Sequence, residues 1–278
     1  MDKKIILVFG ATGQQGGAVV KALTGSEFVI RAVTRDPESQ KAKALAQRGV
    51  ELVKADFADE GSIKKALQGV YGVYSVHNMT GGLKAEEEQG KSLADLAKQA
   101  GVLHLVYSSV GGAERKTGIG HFDSKWAVEE HIRGIKLPHT IIRPVAFMEN
   151  FAAFPPFMLF SILRGSLNNK KLQMIAVEDI GKWVALAFFK PEQYLNQSIE
   201  IAGDELSYSE LQAAWEKVKG NTQFALPLPK FIISMMGETG KMFLWFGKDG
   251  YQADLKQCKT QIPKMNSFVQ WLAKMKSL

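Results

Sequence analysis

The sequence predicts an α/β fold, in which a doubly wound parallel sheet is followed by a smaller C-terminal α/β lobe. The first observation behind this prediction is that short apolar segments alternate with segments of helical periodicity through the first half of the chain. Such alternation is typical of a parallel sheet whose strands are joined by right-handed helical crossovers. The second observation is a glycine-rich turn directly after the first apolar segment, where a strand would give way to a helix.

The predicted strands are short and rich in Val, Ile, Leu or Tyr without polar alternation, as expected of strands buried on both faces. In the first half they occupy residues 4–9, 28–34, 50–55, 72–76, 103–107 and 140–143, with helices at 15–23, 38–47, 60–67, 86–99 and 122–133. The second half predicts a strand end running into a helix over 175–189, a strand over 198–202, and helices over 208–217 and 267–274. We therefore expect a first domain over 1–150 and a smaller lobe over 151–278, with 173–203 returning to the sheet of the first domain.

The composition is that of an ordinary globular protein, since 46% of the 278 residues are hydrophobic and 23% are charged. The single cysteine, Cys258, excludes an internal disulfide and fits a reducing, cytoplasmic compartment. No apolar stretch is long enough to span a bilayer, so we expect no membrane partner. The net charge of +7 favours anionic ligands. Because the lysines are spread along the chain, direct nucleic-acid binding is not expected, and the histidines and Cys258 lack metal-ligand spacing.

The glycine-rich turn carries the functional prediction. Gly10, Gly13 and Gly16 follow the spacing G-x-x-G-x-x-G between the first predicted strand and the first predicted helix. Gly10 allows the tight turn, Gly13 lets the backbone approach a pyrophosphate, and Gly16 lets the helix pack close to the sheet. The helix N-terminus offers N–H groups and the positive end of its dipole to the phosphates. In this context the pattern predicts a Rossmann-type domain that binds a dinucleotide through Gly10, Thr12, Gly13, Gln14, Gln15 and Gly16.

The end of the second predicted strand decides which dinucleotide is bound. NAD sites place Asp or Glu there, on the ribose 2′-hydroxyl, whereas this chain has Thr34 and Arg35 followed by Asp36. The guanidinium of Arg35 can bind a 2′-phosphate, which favours NADP(H). The alternative is that Arg35 is solvated and Asp36 binds the 2′-hydroxyl of NAD one position late. Contacts are also expected after the third strand, near the adenine, and after the fourth, near the topological switch point, from Asp56, Phe57, His77 and Asn78.

Five segments together resemble the NmrA-like branch of the atypical short-chain dehydrogenases/reductases. They are GATGQQGG at 10–17, VTRDP at 33–37, HFDSKWAVEEHIR at 121–133, RPVAFMENF at 143–151 and QMIAVEDIG at 173–181. The resemblance covers nearly the whole chain and implies a Rossmann domain, NADP(H) and a small C-terminal lobe. The family includes redox-sensing regulators that bind NADP(H), and reductases that act on quinones, isoflavones and benzylic ethers.

The catalytic pattern departs from that of the wider superfamily. Classical members carry Tyr-x-x-x-Lys on a helix and a serine on the strand before it; the tyrosine donates a proton, and the lysine lowers the pKa of that tyrosine and binds the nicotinamide ribose. Here the pattern runs from His121 to Lys125, and Ser108 and Ser109 lie where the serine would be. The resemblance therefore implies Lys125 as a ribose contact and leaves the role of the tyrosine unassigned. His121 could donate the proton, since its reference pKa is about 6.5; Lys125 could instead be the acid or base, or His121 could simply begin a helix.

Other residues take expected roles from the same resemblance. Phe147 would stack near the nicotinamide ring and Asn150 would hydrogen-bond its amide, although Phe147 could equally belong to the core. Asp179 is expected to cap a helix, and the connection over 165–172 is shorter than in family members. A cluster of aromatic residues could line a quinone pocket, but the core of the lobe is the favoured position for Phe243, Trp245 and Phe246.

Two functions are compatible with this pattern. The missing tyrosine favours a redox-state sensor, in which NADP(H) occupancy changes a surface that a protein partner recognises. The retained Lys125 and the apolar lobe favour the alternative, an NADPH-dependent reductase of quinones or similar conjugated carbonyls.

Overall fold

The computed structural model describes residues 3–77 and 81–275, and the chain divides into two compact units. Unit 1 comprises Met1–Ser109, Ser124–Ile142 and Ile180–Ile199, and unit 2 comprises Val110–Asp123, Arg143–Asp179 and Glu200–Leu278. Each unit is therefore built from three separate stretches of the chain. None of the helices in the described ranges is both long enough and apolar enough to cross a membrane.

The strands of the described residues form two sheets. They are β1 (Ile5–Val8), β2 (Val29–Thr34), β3 (Glu51–Lys54), β4 (Val70–Ser75), β5 (His104–Ser108), β6 (His139–Pro144), β7 (Ala146–Phe147), β8 (Leu172–Ile175), β9 (Gln197–Ile201) and β10 (Asp204–Leu206). The larger sheet has seven strands in the order β3-β2-β1-β4-β5-β6-β9. The chain thus crosses from one side of β1 to the other between β3 and β4, which creates the topological switch point of a Rossmann fold.

The helices connect these strands. They are α1 (Gln14–Leu23), α2 (Gln40–Ala46), α3 (Glu60–Ala66), α4 (Leu83–Gln99), α5 (Gly120–Gly134), α6 (Asn150–Ala153), α7 (Pro156–Ser166), α8 (Val177–Phe189), α9 (Pro191–Tyr194), α10 (Tyr208–Lys219), α11 (Lys230–Ser234), α12 (Gly237–Phe246), α13 (Leu255–Gln261) and α14 (Phe268–Met275). The prediction of a Rossmann-type α/β fold is confirmed, and the six strands predicted in the first half each appear within two residues of their expected ends.

The register of the larger sheet fixes the carboxyl ends of its strands at one edge. β1 pairs in parallel with β2, with Ile6 opposite Ile30, and with β4, with Leu7 opposite Val73. β5 pairs in parallel with both β4 and β6. These strands are buried and apolar, and Leu7 and Val73 belong to one cluster with Leu93 of α4 and Val128 of α5. Burial of this cluster is what orders the sheet edge where the predicted ligand residues lie.

Unit 2 contains the smaller sheet, in the order β10-β8-β7. Met174 of β8 lies opposite Asp204 in an antiparallel pairing and opposite Ala146 in a parallel one. The aromatic residues of α12 are buried in this unit, and the ring of Trp245 meets that of Phe122 edge-on at 5.2 Å. The favoured position of Phe243, Trp245 and Phe246 in the core of the lobe is therefore confirmed.

Two features of unit 2 differ from the sequence reading. The prediction that Asp179 caps a helix is wrong, because α8 begins at Val177 and Asp179 lies within its first turn. Its buried carboxylate instead accepts the backbone N–H of Asn266 at 2.7 Å and the side-chain amide at 2.9 Å. Helix α7 (Pro156–Ser166) is not among the helices that the sequence predicts. Pro156 is nevertheless the first residue of α7, a position where its missing N–H costs nothing.

Candidate functional site

The turn between β1 and α1 has a backbone that only glycine fits. Gly10 adopts φ of 64°, which other residues rarely do, and its carbonyl accepts the N–H of Gly13 at 2.8 Å. A Cβ on Gly16 would lie 2.2 Å from the Gly10 carbonyl oxygen. α1 is therefore packed against the end of β1 at a distance that excludes any side chain at position 16.

Among the residues that the structure describes, no side chain caps the N-terminus of α1. Gly13 is the N-cap residue, and the first turn contains no acidic residue. The first N–H groups of a helix have no partner within the helix, and together with the dipole they favour an anion. Gln14 is exposed and Thr12 is half-buried beside these groups. These donors fit a dinucleotide pyrophosphate.

The side chain of Gln15 is engaged by the protein itself. Its Oε1 accepts the hydroxyl of Ser108 at 2.7 Å and that of Tyr74 at 3.3 Å. Ser108 is therefore held by the glycine-rich turn, and burial raises the pKa of Tyr74, which keeps its proton. Gln15 remains a predicted cofactor residue through its backbone, while its side chain joins α1 to the ends of β4 and β5.

Arg35 and Asp36 at the end of β2 have different surroundings. Asp36 Oδ1 accepts the N–H of Glu38 at 3.0 Å, and the Thr34 hydroxyl bonds the backbone of Asp36 at 3.1 and 3.2 Å. The Asp36 carboxylate thus stabilises the turn that follows β2. The exposed guanidinium of Arg35 makes no hydrogen bond or ion pair with any residue that the structure describes. This arrangement fits a 2′-phosphate at Arg35 better than a 2′-hydroxyl at Asp36.

Asp56 and Phe57 follow β3. Asp56 Oδ1 accepts the N–H of Ala58 at 2.9 Å, so this carboxylate also stabilises a local turn. The Phe57 ring lies 5.5 Å from that of Phe9 and 5.1 Å from that of His77. The structure therefore places Phe57 across the ends of β1, β3 and β4, at the edge where a nucleotide base would lie.

His77 follows β4 and is buried, with Nε2 at 2.9 Å from the Ser75 hydroxyl. Burial, and to a smaller extent the positive charge of Lys125, lowers the pKa of His77 to about 3. Its imidazole is therefore neutral at physiological pH and acts as a hydrogen-bonding group. Asn78, the other residue predicted there, lies outside the described residues.

Lys125 is buried on α5 and forms an ion pair. Its Nζ lies 2.9 Å from Oε1 of Glu86, and the Ser124 hydroxyl donates to the other carboxylate oxygen at 3.0 Å. The side chain of Lys125 is 6% exposed and that of Glu86 is fully buried. The ammonium also lies 5.7 Å from the centre of the Tyr107 ring. This pair fixes the position of the lysine that the resemblance assigns to the ribose.

Glu86 is the residue of this site that the sequence reading missed. It lies on α4, whose buried face also carries Gly90 and Leu93. A Cβ on Gly90 would come within 2.7 Å of the Val128 side chain, so α4 and α5 approach closely one turn away from the pair. The signal was present in the sequence, because a glutamate four residues before Gly90 and seven before Leu93 shares their helical face and requires a cationic partner when buried.

The second candidate serine belongs to another buried group. The Ser109 hydroxyl donates to Oε1 of Glu129 at 2.6 Å, and Arg133 donates to the other oxygen at 2.7 Å. Burial and the charges of Glu86 and Glu129 raise the pKa of Tyr107, so this phenol stays protonated. Both serines at the expected position therefore have their hydroxyls engaged by side chains of unit 1.

The remaining predicted residues lie in unit 2. His121 is half-buried in the first turn of α5, where its ring lies 6.1 Å from that of Phe122. Hydrogen bonds from Lys241 and from the backbone N–H of Gly120 lower the pKa of Glu238, which is also near His121. Phe147 is half-buried in β7, and Asn150 is the first residue of α6. The roles assigned to His121, Phe147 and Asn150 stay predictions.

The structure thus brings together, in unit 1, the glycine-rich turn and the residues at the ends of β2, β3, β4 and β5. Lys125 joins them through its proximity to His77. Chemically, this edge offers backbone donors for phosphate, an exposed arginine, a neutral histidine and a buried lysine. Within the described ranges, no group of three or more His, Cys, Asp or Glu residues is placed to hold a metal ion.

Comparison with known proteins agrees with this geometry. The model of the NmrA-like family matches residues 2–267. The NmrA-like family domain-containing oxidoreductase malD of Malbranchea aurantiaca is 32% identical over 78% of this chain and 74% of its own. Two solved structures share the fold. The NADPH-dependent quinone oxidoreductase QOR2 of Escherichia coli complexed with NADPH is 22% identical with a TM-score of 0.81, and the match covers 98% of this chain and 99% of that chain. NmrA, a negative transcriptional regulator, in complex with NADP is 17% identical with a TM-score of 0.79, and the match covers 99% of this chain and 95% of that chain.

The family match extends over nearly the whole chain, and the relative from Malbranchea aurantiaca shares about a third of its aligned residues with it. The fold, the glycine-rich turn and the lysine on α5 occur in the order that the resemblance requires. This chain is a member of the NmrA-like family.

Proposed function

We propose that this protein binds NADP(H) at the carboxyl edge of the larger sheet and serves as a redox-state sensor. The binding part rests on the glycine-rich turn, where a Cβ on Gly16 would meet the Gly10 carbonyl and no described side chain caps the first turn of α1. The preference for NADP(H) rests on Arg35, which is exposed at the end of β2, whereas the carboxylate of Asp36 accepts the N–H of Glu38. The NADP complexes of two structural neighbours support the same assignment.

The sensing part rests on what surrounds the expected proton donor. His121 stands where classical members have tyrosine, and the hydroxyls of Ser108 and Ser109 are held by Gln15 and Glu129. Both serine hydroxyls are therefore engaged by other side chains, and a histidine occupies the position of the classical tyrosine. The residues that remain can bind and orient the cofactor. The N-terminus of α1 and Arg35 would hold its phosphates. The Lys125 ammonium has three protons, and those not directed at Glu86 would bind the ribose hydroxyls.

A reductase is the second candidate, and one observation favours it. Lys125 is fixed in a buried position by its ion pair with Glu86, which is the arrangement of a residue that must meet a reactant at a defined atom. When bound, NADPH would supply a hydride to a conjugated carbonyl. The proton that completes the reduction would come from Lys125, His121 or water. The name of the relative from Malbranchea, an oxidoreductase, agrees with this candidate.

One experiment separates the two candidates. NADPH absorbance is followed with a panel of quinones and enals for the wild type, Lys125→Ala and His121→Phe, with Lys84→Ala, an exposed lysine of α4, as the control. Calorimetry of the same proteins measures NADPH binding. The sensor predicts binding without consumption of NADPH across the panel. Consumption that is lost in Lys125→Ala or His121→Phe and kept in the control would refute the sensor and establish the reductase.

A further inference from the structure

A cavity of about 560 Å³ lies within unit 2. Its wall is formed by Arg164 near the end of α7, by residues 167–169 after that helix, by the first residues of α10 and by Pro227. Residues 167–169 belong to the connection over 165–172 that the family resemblance predicts to be short. Pockets that bind small molecules typically have volumes of about 300–1,000 Å³. The cavity therefore has the size of a ligand site.

The backbone around the cavity is held by contacts of unit 2 itself. A Cβ on Gly165 would lie 2.0 Å from the carbonyl oxygen of Leu228, so α7 and the segment that carries Leu228 touch without room for a side chain. The side-chain amide of Asn168 donates to the Gly247 carbonyl at 3.3 Å. The shape of the cavity is therefore fixed by the folded unit, as is usual for a small-molecule site.

Arg164 supplies the charge of the cavity wall. Its guanidinium donates to the Ala225 carbonyl at 2.6 Å and lies 5.8 Å from the centre of the Tyr208 ring. None of the described residues that line the cavity is acidic, and no described carboxylate forms an ion pair with Arg164. A guanidinium has five N–H groups in a planar arrangement that matches two oxygens of a carboxylate or phosphate. The N–H groups not directed at Ala225 therefore remain for an anion.

The carboxylate of Glu210, close to the cavity along the chain, is engaged by other groups. It accepts the N–H of Ser207 at 2.7 Å, while the Ser207 hydroxyl accepts the N–H of Glu210 at 3.3 Å, so the two residues cap α10 reciprocally. The Nζ of Lys171 lies 3.6 Å from the same carboxylate. The N-terminus of α10 is therefore closed by its own cap, and the cation of the cavity is Arg164.

Neutral donors and apolar surface complete the wall. The Tyr208 hydroxyl accepts the side-chain amide of Gln212 at 2.9 Å and gives its own proton to no described residue. Asn169 is exposed, and its side-chain amide makes no hydrogen bond within the described part of the chain. The Tyr208 ring, Leu167 and Pro227 add apolar surface. Such a wall matches a molecule with an anionic group at one end and an apolar body.

We propose that this cavity binds a small organic anion. Its carboxylate or phosphate group would pair with Arg164 and accept the Tyr208 hydroxyl and the Asn169 amide, and its apolar part would lie against the wall beside Tyr208. The proposal goes beyond the function proposed above, because the cavity is formed by unit 2 and its wall includes none of the residues predicted to bind NADP(H).

The test is a titration followed by the amide signals in two-dimensional NMR. The probes are phenyl phosphate and benzoate, which distinguish a phosphate from a carboxylate, and the neutral control is benzyl alcohol. Arg35→Gln is titrated beside the wild type, so that binding at the proposed NADP(H) site is not counted. We expect at least one of the two anions, and not benzyl alcohol, to shift the signals of Asn169 and Ser209 in both proteins.

Variants of the cavity wall test the residues. Arg164→Gln should weaken binding of the anion by roughly 10- to 100-fold, as expected for the loss of hydrogen bonds to a charged group. Asn169→Gly should weaken it by roughly two- to tenfold through the loss of one hydrogen bond. Because glycine adopts the φ of 63° at this position without strain, this variant tests the proposal even if Arg164→Gln does not fold. The controls Arg48→Gln and Asn196→Gly replace an exposed arginine and an exposed asparagine with φ of 60° outside the cavity, and should bind as the wild type does.

Any of three results would overturn the proposal. The first is that neither anion shifts the signals of Asn169 and Ser209. The second is that benzyl alcohol shifts them as strongly, because binding would then not depend on the charge. The third is that the variants of the cavity wall bind as tightly as their controls, which would mean adventitious binding of anions over the surface. Circular dichroism of each variant shows whether it is folded.

Discussion

The buried pair between Lys125 and Glu86 makes a prediction whose size can be worked out. Glu86→Gln preserves the volume of the side chain and an acceptor for Ser124, so it leaves no cavity and removes only the negative charge. With Glu86 fully buried and Lys125 6% exposed, water cannot take the place of the lost partner. Removing one partner of a buried pair costs about 3–5 kcal/mol. Because whole proteins are stable by about 5–15 kcal/mol, this change is readily measured.

The assay is urea unfolding followed by far-UV circular dichroism. The matched control is Glu87→Gln on the same helix, because Glu87 also pairs with a lysine, Lys91, but both side chains are 35% exposed. Screening by water limits that loss to about 1 kcal/mol or less. Replacing both charges, as Glu86→Gln with Lys125→Met, leaves no unpaired ion, and we expect the double variant to be more stable than Glu86→Gln alone.

Two results would refute this reasoning. One is a cost for Glu86→Gln no greater than that of Glu87→Gln, which would mean that water reaches the pair. The other is a double variant whose loss equals the sum of the two single losses, which would mean that the side chains do not interact.

Three further predictions concern the cofactor edge. Gly16→Ala should lower stability by about 1–3 kcal/mol through overpacking and abolish NADPH binding in calorimetry. The control Gly134→Ala, whose Cβ meets nothing within 4 Å, should do neither. Unchanged binding in Gly16→Ala would refute the close approach of α1 to the Gly10 carbonyl. Arg35→Gln should weaken NADPH binding by roughly 10- to 100-fold, as expected for the loss of hydrogen bonds to a charged group, and leave NADH binding unchanged. Arg48→Gln, at another exposed arginine, is the control. Equal losses of affinity for both coenzymes would contradict the assignment of the 2′-phosphate to Arg35. Burial lowers the pKa of His77 to about 3, whereas histidine in the unfolded chain titrates near 6.5, so acidification favours unfolding. Between about pH 7 and about pH 5 the free energy of unfolding of the wild type should therefore fall by about 2 kcal/mol more than that of His77→Asn. Equal losses would show that His77 is protonated in the folded protein.

The fold was predictable because it depends on local patterns. Strands buried on both faces of a parallel sheet are nearly continuous apolar runs, so β1 to β6 could be located from the sequence alone. The glycine spacing predicted the turn as well, since Gly10 and Gly16 are needed for reasons of backbone geometry that act within seven residues. Helix α7 was missed because a proline at a first helical position and a proline that breaks a helix look alike in a short apolar segment.

The polar contacts of the site were less predictable because they join residues far apart in the chain. The partner of Lys125 depends on the crossing of α4 and α5, which the small size of Gly90 permits. The engagement of Gln15 by Ser108 likewise requires the neighbouring positions of α1 and β5 in the folded sheet. Residue types and spacing indicate which side chains are candidates for binding or catalysis. Only the tertiary arrangement shows which of these side chains already form hydrogen bonds or ion pairs within the protein.

Binding of NADPH to the wild-type protein, measured by isothermal titration calorimetry beside NADH, tests the central claim most directly. The account predicts one molecule of NADPH per chain and an affinity for NADPH higher than that for NADH, because the N-terminus of α1 receives the pyrophosphate and Arg35 the extra phosphate. Absence of heat with both reduced coenzymes, or tighter binding of NADH, would contradict it.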